Sequence, residues 1–243
     1  AAQRAVPAVD EEHFRLVTGF NDIFVAIAAI IALVAAGAIG GGLLTAAVAW
    51  GLAEFFTRKR RMAFPSIILL LAFVGGIAAG LVGAMVAMEE ADMLPDSFNE
   101  PLLAGTFGVG IAALTAAAAY LHWRRFQVPI TVAALTAAIA AIPMIAITAY
   151  VGSLEMEDPE NILLSIVLIA GLAVFAFAMW WDLQDRDRQT RKSDVAFWLH
   201  LLAAPMIAHP LFAFLGATTG EVIGLGGIIA ILAVYLLFAL VAL

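Results

Sequence analysis

Two histidines and two prolines interrupt one apolar stretch in the C-terminal third of the chain, in the order His200, Pro205, His209, Pro210. Ionisable side chains are costly in such a stretch, which makes them the first candidates for function. Neutral imidazole relays protons and ligates metals or haem. Each proline removes a backbone N–H and is expected to break the helix, leaving carbonyls open to a ligand or a neighbouring side chain. Nine residues at about 100° each set His200 and His209 on nearly opposite faces of a straight helix. They cannot share one ion on this helix unless Pro205 turns it. One can face an interior cavity while the other meets an adjacent helix; the structural alternative for each is a hydrogen bond between helices.

Two carboxylates join them as candidates for a ligand site or proton pathway. Glu54 lies four residues before Arg58, the spacing of an ion pair along one helix face, and is otherwise a protonatable group near the cytoplasmic end of its span. Asp194 follows Ser193 and reads as the N-cap of the histidine-bearing helix. His122 stands beside Trp123 at a span end and reads as an interface residue. Haem has no clear second ligand at matching depth, so no cofactor and no metal site are indicated.

Other chemistry is excluded by absence. The chain has no cysteine, hence no disulfide, no thiolate zinc or iron–sulfur site and no cysteine nucleophile. It contains no phosphate-binding glycine loop, no His-Glu-x-x-His and no Gly-x-Ser-x-Gly. The net charge of −7, if spread evenly, argues against a nucleic-acid partner, though the charge is strongly segregated; no nucleic acid is expected as a partner. The chain opens Ala-Ala-Gln-Arg with no Met and no short apolar core behind a basic start, so no signal peptide is expected and the start is read as internal to a longer chain.

The elements that must position these residues are membrane helices. Of the 243 residues 64% are hydrophobic and 13% charged, with a mean hydropathy of +1.04, whereas soluble domains hold roughly 45–50% apolar and about 25% charged residues. A span takes about 20 apolar residues. That rule gives eight: 22–39, 42–57, 64–88, 102–122, 128–151, 161–181, 194–216 and 222–243. The first two are separated by Gly40-Gly41-Gly42, because one helix across that run would approach two bilayers in length.

Charge orders the connections. Arg58–Arg61, Arg124-Arg125 and Arg186–Lys192 fall on one side together with Arg4 and Arg15; Glu89–Glu100, Glu155–Glu160 and Glu221 fall on the other. By the positive-inside rule both termini are expected in the cytoplasm, in a cell membrane such as the bacterial inner membrane. Residues 1–21 form a cytoplasmic segment with a short amphipathic interfacial helix, and 22–243 the polytopic domain. Arg60-Arg61-x-x-x-Pro65 recurs as Arg124-Arg125-x-x-x-Pro129, which suggests a tandem two-helix repeat or the convergence of basic ends with N1 prolines. Trp123, Trp180, Trp181 and Trp198 are expected in an interfacial belt. Gly76 and Gly80, and Gly37 and Gly41, have the spacing of close helix contacts.

The sequence therefore predicts an all-α integral membrane protein of about eight transmembrane helices. A small transporter or channel-like protein with a polar site on the seventh span, around His200 and His209, is the first functional expectation. The alternative is a non-catalytic membrane subunit or scaffold, docking through 182–192 or through a homo-oligomeric or membrane-protein contact. An intramembrane enzyme or haem protein comes third. The lipid bilayer is the one partner all three require.

Overall fold

The computed structural model describes residues 20–154, 156, 159–187, 189–216 and 224–241. Arg4, Arg15 and almost all of the expected interfacial helix at 1–21 lie outside these, as do Glu155, Glu157, Asp158, Arg188 and Glu221. Seven α-helices follow in order: α1 Phe20–Ala53, continued by a π-helical turn Glu54–Lys59; α2 Ala63–Glu90; α3 Pro101–Phe126, after a 3-10 turn Asp96–Asn99; α4 Ile130–Ser153; α5 Glu160–Leu183; α6 Arg191–Phe214; and α7 Leu225–Val241. Among the described residues six stretches are long and apolar enough to cross a membrane, with Phe20–Lys59 counted as one of 40 residues; α7 is shorter. The chain is thus a helical protein of membrane-spanning type, and it divides into two compact units, one up to Gly80 and one from Leu81.

In the first unit α1 is not one rod. Gly40 (φ −136°, ψ 19°) and Gly41 (φ 64°, ψ −159°) leave helical geometry, and the latter conformation is open to glycine alone. The chain turns back there: a Cβ on Gly37 would stand 3.1 Å from the Thr45 hydroxyl, whereas eight residues of straight helix rise 12 Å. The buried positions match on either side of this turn. Ala36 and Ala46, Leu33 and Ala49, and Ala29 and Ala53 are pairwise equidistant from Gly41, so each arm turns its buried residues to one face. The second arm also meets α2 through glycine. A Cβ on Gly42 would lie 2.4 Å from the Gly76 carbonyl oxygen and 2.4 Å from the Gly80 nitrogen. Trp50 and Phe73 extend this contact, with ring centroids 5.1 Å apart.

The second unit is built from helical hairpins. α3 and α4 pack tightly at Gly105, where a Cβ would stand 2.3 Å from the Ala149 Cβ. Gln127, in the left-handed conformation, ends α3, and Pro129 precedes α4. The core joins α4, α5 and α6 through Val132, Ala133, Val174, Ala178, Val195, Leu199, Ala203 and Ile207. Trp123, Trp181 and Trp198 pack against that core, while Trp180 faces outward. Some hydroxyls inside the helices bond back one turn, as Thr106 does to Leu102 (2.8 Å) and Ser165 to Asn161 (2.7 Å).

Candidate functional site

The residues singled out by type fall in both units. Glu54 is part of the π-helical turn, and its carboxylate accepts from Arg58 at 3.3 Å, the i,i+4 pair its spacing predicts. It belongs to the first unit. The other candidates belong to the second, all on α6.

α6 begins at Arg191, three residues before Asp194, and its N-cap is Thr190, whose hydroxyl accepts from the Lys192 N–H at 3.2 Å. The cap expected at Asp194 is therefore corrected: Asp194 sits half-buried in the first turn, where a carboxylate complements the helix dipole. The cap moves because Asp185 fixes Thr190. Asp185 is buried and accepts from the Thr190 hydroxyl (2.6 Å), the Thr190 N–H (2.8 Å) and the Gln189 N–H (3.1 Å). The Thr190 hydroxyl holds its carboxyl below the ordinary carboxylate range; burial works the other way and the backbone N–H groups add to the lowering. Charges alternate in this connection as Asp185-Arg186-Asp187-Arg188, which suggests self-pairing; among the described residues its tightest polar contacts run from Asp185 to backbone and hydroxyl groups. Arg186 and Asp187 are exposed.

Further along, α6 carries Pro205 and Pro210 within its length and remains helical to Phe214. Proline has no N–H, so the carbonyls of Leu201 and Met206 lack their usual i+4 donor. His200 is half-buried, with its ring 5.2 Å from that of Phe175 on α5 at a steep angle. His209 is exposed and Pro210 buried. The two imidazoles thus differ in burial, as their spacing implies. Among the described residues no group of three His, Asp or Glu side chains could hold a metal ion.

Residue type alone did not reveal two further features. His122 is buried (1% exposed), although its place beside Trp123 and two arginines suggests an interface residue. The tight turn between α3 and α4 brings its Nδ1 to 3.3 Å from the Thr131 hydroxyl, which is also fully buried. The only legible signal was a threonine nine residues after a histidine across a proline turn. The other feature is a groove of about 680 Å³ between α3, α4 and α6. Its walls are Gly105 and Ala104 on α3, Ala137, Ala141 and Met144 on α4, and Met206 on α6, with Thr148 as its polar side chain. Small residues carve it: alanine and glycine at helical spacing leave a hollow that larger side chains would fill.

Chemically, such a groove offers dispersion contacts and few hydrogen bonds, which suits hydrocarbon better than a hydrated ion. Comparison of the chain with protein-family models, with characterised proteins and with solved structures finds no match to any of them.

Proposed function

We propose that this chain is a polytopic protein of eight crossings that takes an apolar or amphiphilic molecule from the bilayer, acting as a small transporter. The observation that carries the reading is the carbon-lined groove between α3, α4 and α6. Ligand sites are mostly apolar, with few polar groups, and lie between helices in bundles. In the eight-crossing arrangement the arms of α1 on either side of Gly40–Gly41 cross separately and α7 makes the last crossing. The lengths support this, since 20 residues from Phe20 to Ile39 rise about 30 Å. The basic connections then share one face, with both termini in the cytoplasm of a cell membrane such as the bacterial inner membrane.

The test uses the full chain in proteoliposomes with a fatty acid carrying a photoactivatable group on its acyl chain. Adducts are expected to concentrate on the groove segments at 101–105 and 137–149, to fall in Ala141→Phe, and to accompany movement of a fluorescent fatty acid between leaflets. Labelling spread evenly over lipid-facing helices would remove the basis of the reading. Cysteines placed at 40–42 and at 58–61 should react from opposite sides of the membrane; reaction from one side would overturn the eight crossings.

A second reading assigns proton coupling to α6, with His200, His209 and Asp194 as the candidate groups, and treats Glu54 as a separate candidate in the first unit. His200 favours it, being half-buried in the second unit against Phe175. His200→Ala and His209→Ala should then change the pH dependence of flux with folding intact. A subunit or scaffold role is favoured by the exposed Arg186 and Asp187 beside the contact of Asp185 with Thr190. Stoichiometric co-purification of a partner in mild detergent, lost in Arg186→Glu, would support that role, and a clean single species would count against it.

A further inference from the structure

Met206 has two neighbours of opposite kind. It forms the α6 wall of the groove. On another side its backbone lies against Gly171 of α5: a Cβ on Gly171 would stand 2.9 Å from both the Met206 carbonyl carbon and the Met206 Cβ, and 3.0 Å from Ile207 Cγ1. Real Cβ atoms do not approach so closely, so α6 reaches this position only because residue 171 has no side chain. Met206 is also the residue whose carbonyl loses its i+4 donor to Pro210, and Pro205 does the same to Leu201 one turn earlier. The segment of α6 that walls the groove is thus the one seated on a glycine and relieved of two helix hydrogen bonds.

We infer that Gly171 is a positioning residue that sets the width of the groove by letting α6 seat Met206 against α5. This rests on the reading of the groove as a hydrocarbon site. A methyl on Gly171 meets atoms of the Met206 backbone and Cβ, which no rotamer change can move. α6 must yield, and with α5 behind it Met206 goes toward the groove. The weakened hydrogen bonding between Leu201 and Pro210 makes that displacement local. The occupant is a single hydrocarbon chain, and the width of this wall selects among chains by bulk: a straight chain is tolerated where a methyl-branched one is not.

The experiment compares photoactivatable fatty acids with straight and methyl-branched chains on the full protein in proteoliposomes, reading adducts on the 137–149 segment. Gly171→Ala should lower branched-chain labelling relative to straight-chain by about tenfold, the scale of one methylene in an apolar pocket. Met206→Ala, which widens the same wall from the other side, should raise the branched share, and it keeps the test open should Gly171→Ala fold poorly. A protein destabilised without a change of width would lose both probes equally, which would overturn the assignment of Gly171. An unchanged ratio in Met206→Ala would overturn it too. Ala141→Phe, on the opposite wall, separates the two levels. If Ala141→Phe leaves labelling intact, the groove reading fails. If it blocks labelling while the other two variants leave the ratio unmoved, only the role of Gly171 fails. Disulfide-linked dimers formed efficiently by Ala141→Cys would assign the groove to a second copy of the chain and overturn both.

Discussion

Gly42 and Gly76 meet backbone to backbone, so that a Cβ on either would stand 2.4 Å or 2.7 Å from the other's carbonyl oxygen. No flexible side-chain end is available to move aside. Gly76→Ala should therefore destabilise the protein by about 1–3 kcal/mol, the usual cost of overpacking. The adjacent Gly75 is the control, because a Cβ there meets nothing within 4 Å. Gly75→Ala should leave the thermal midpoint unchanged or raise it, alanine being the better helix former by up to about 1 kcal/mol. Melting of both variants in one detergent checks the contrast between neighbouring positions.

Gly41 carries the turn of α1 in a conformation that side chains rarely adopt. Gly41→Ala should cost about 1–3 kcal/mol through backbone strain alone, since open space surrounds the position. Cysteines at Ala36 and Ala46 report on the same turn. They should crosslink in the parent chain and lose efficiency in Gly41→Ala if the strained turn is what brings the arms together.

The Asp185 carboxyl sits below its ordinary value of 3.8 because the Thr190 hydroxyl and nearby N–H groups bond its charged form. A depressed carboxylate stabilises the fold above the unfolded value and loses that contribution as pH falls through the lower folded value. Thermal midpoints measured from neutral pH downward should fall through and below the carboxylate range, and Asp185→Asn should flatten that segment of the profile. Thr190→Ala should cost about 1 kcal/mol as the loss of an N-cap. An unchanged profile in Asp185→Asn would show that other carboxylates govern acid sensitivity.

The contact between His122 and Thr131 is buried on both sides, so removing the hydroxyl deletes a buried hydrogen bond. Thr131→Val, which preserves shape, should destabilise by about 0.5–1.5 kcal/mol. Thr131→Ser keeps the hydroxyl and should recover most of the difference. Equal melting of the valine and serine variants would mean that the hydroxyl contributes nothing.

The helices themselves were legible because apolar runs bounded by charge have few other folds, and the Gly40–Gly42 break, the Gly76/Gly80 contact and the Glu54–Arg58 pair followed from spacing alone. Residues that depend on a partner distant in sequence were not legible. His122 has two arginines and a tryptophan as sequence neighbours, yet a turn ending at Pro129 folds Thr131 over it. Asp194 looks like a cap from Ser193-Asp194, but Asp185 reaches forward to Thr190 and starts α6 earlier. The prolines of α6 predict a break, and the helix continues because a backbone in an apolar medium has no better partner than itself. The groove was invisible, since it is made by small residues of three helices whose packing order no local pattern encodes.

The turn in α1 bears on biosynthesis. Between Asp22 and Glu54 there is no charged residue, and Thr45 returns its hydroxyl to the Gly41 carbonyl at 3.1 Å. In the eight-crossing arrangement nothing but glycine has to emerge on the far face before the second arm follows the first. The two arms can leave the translocon as one closed pair, with no hydrophilic cargo to carry across, and the finished turn offers the outer compartment neither a protease site nor a handle for glycans.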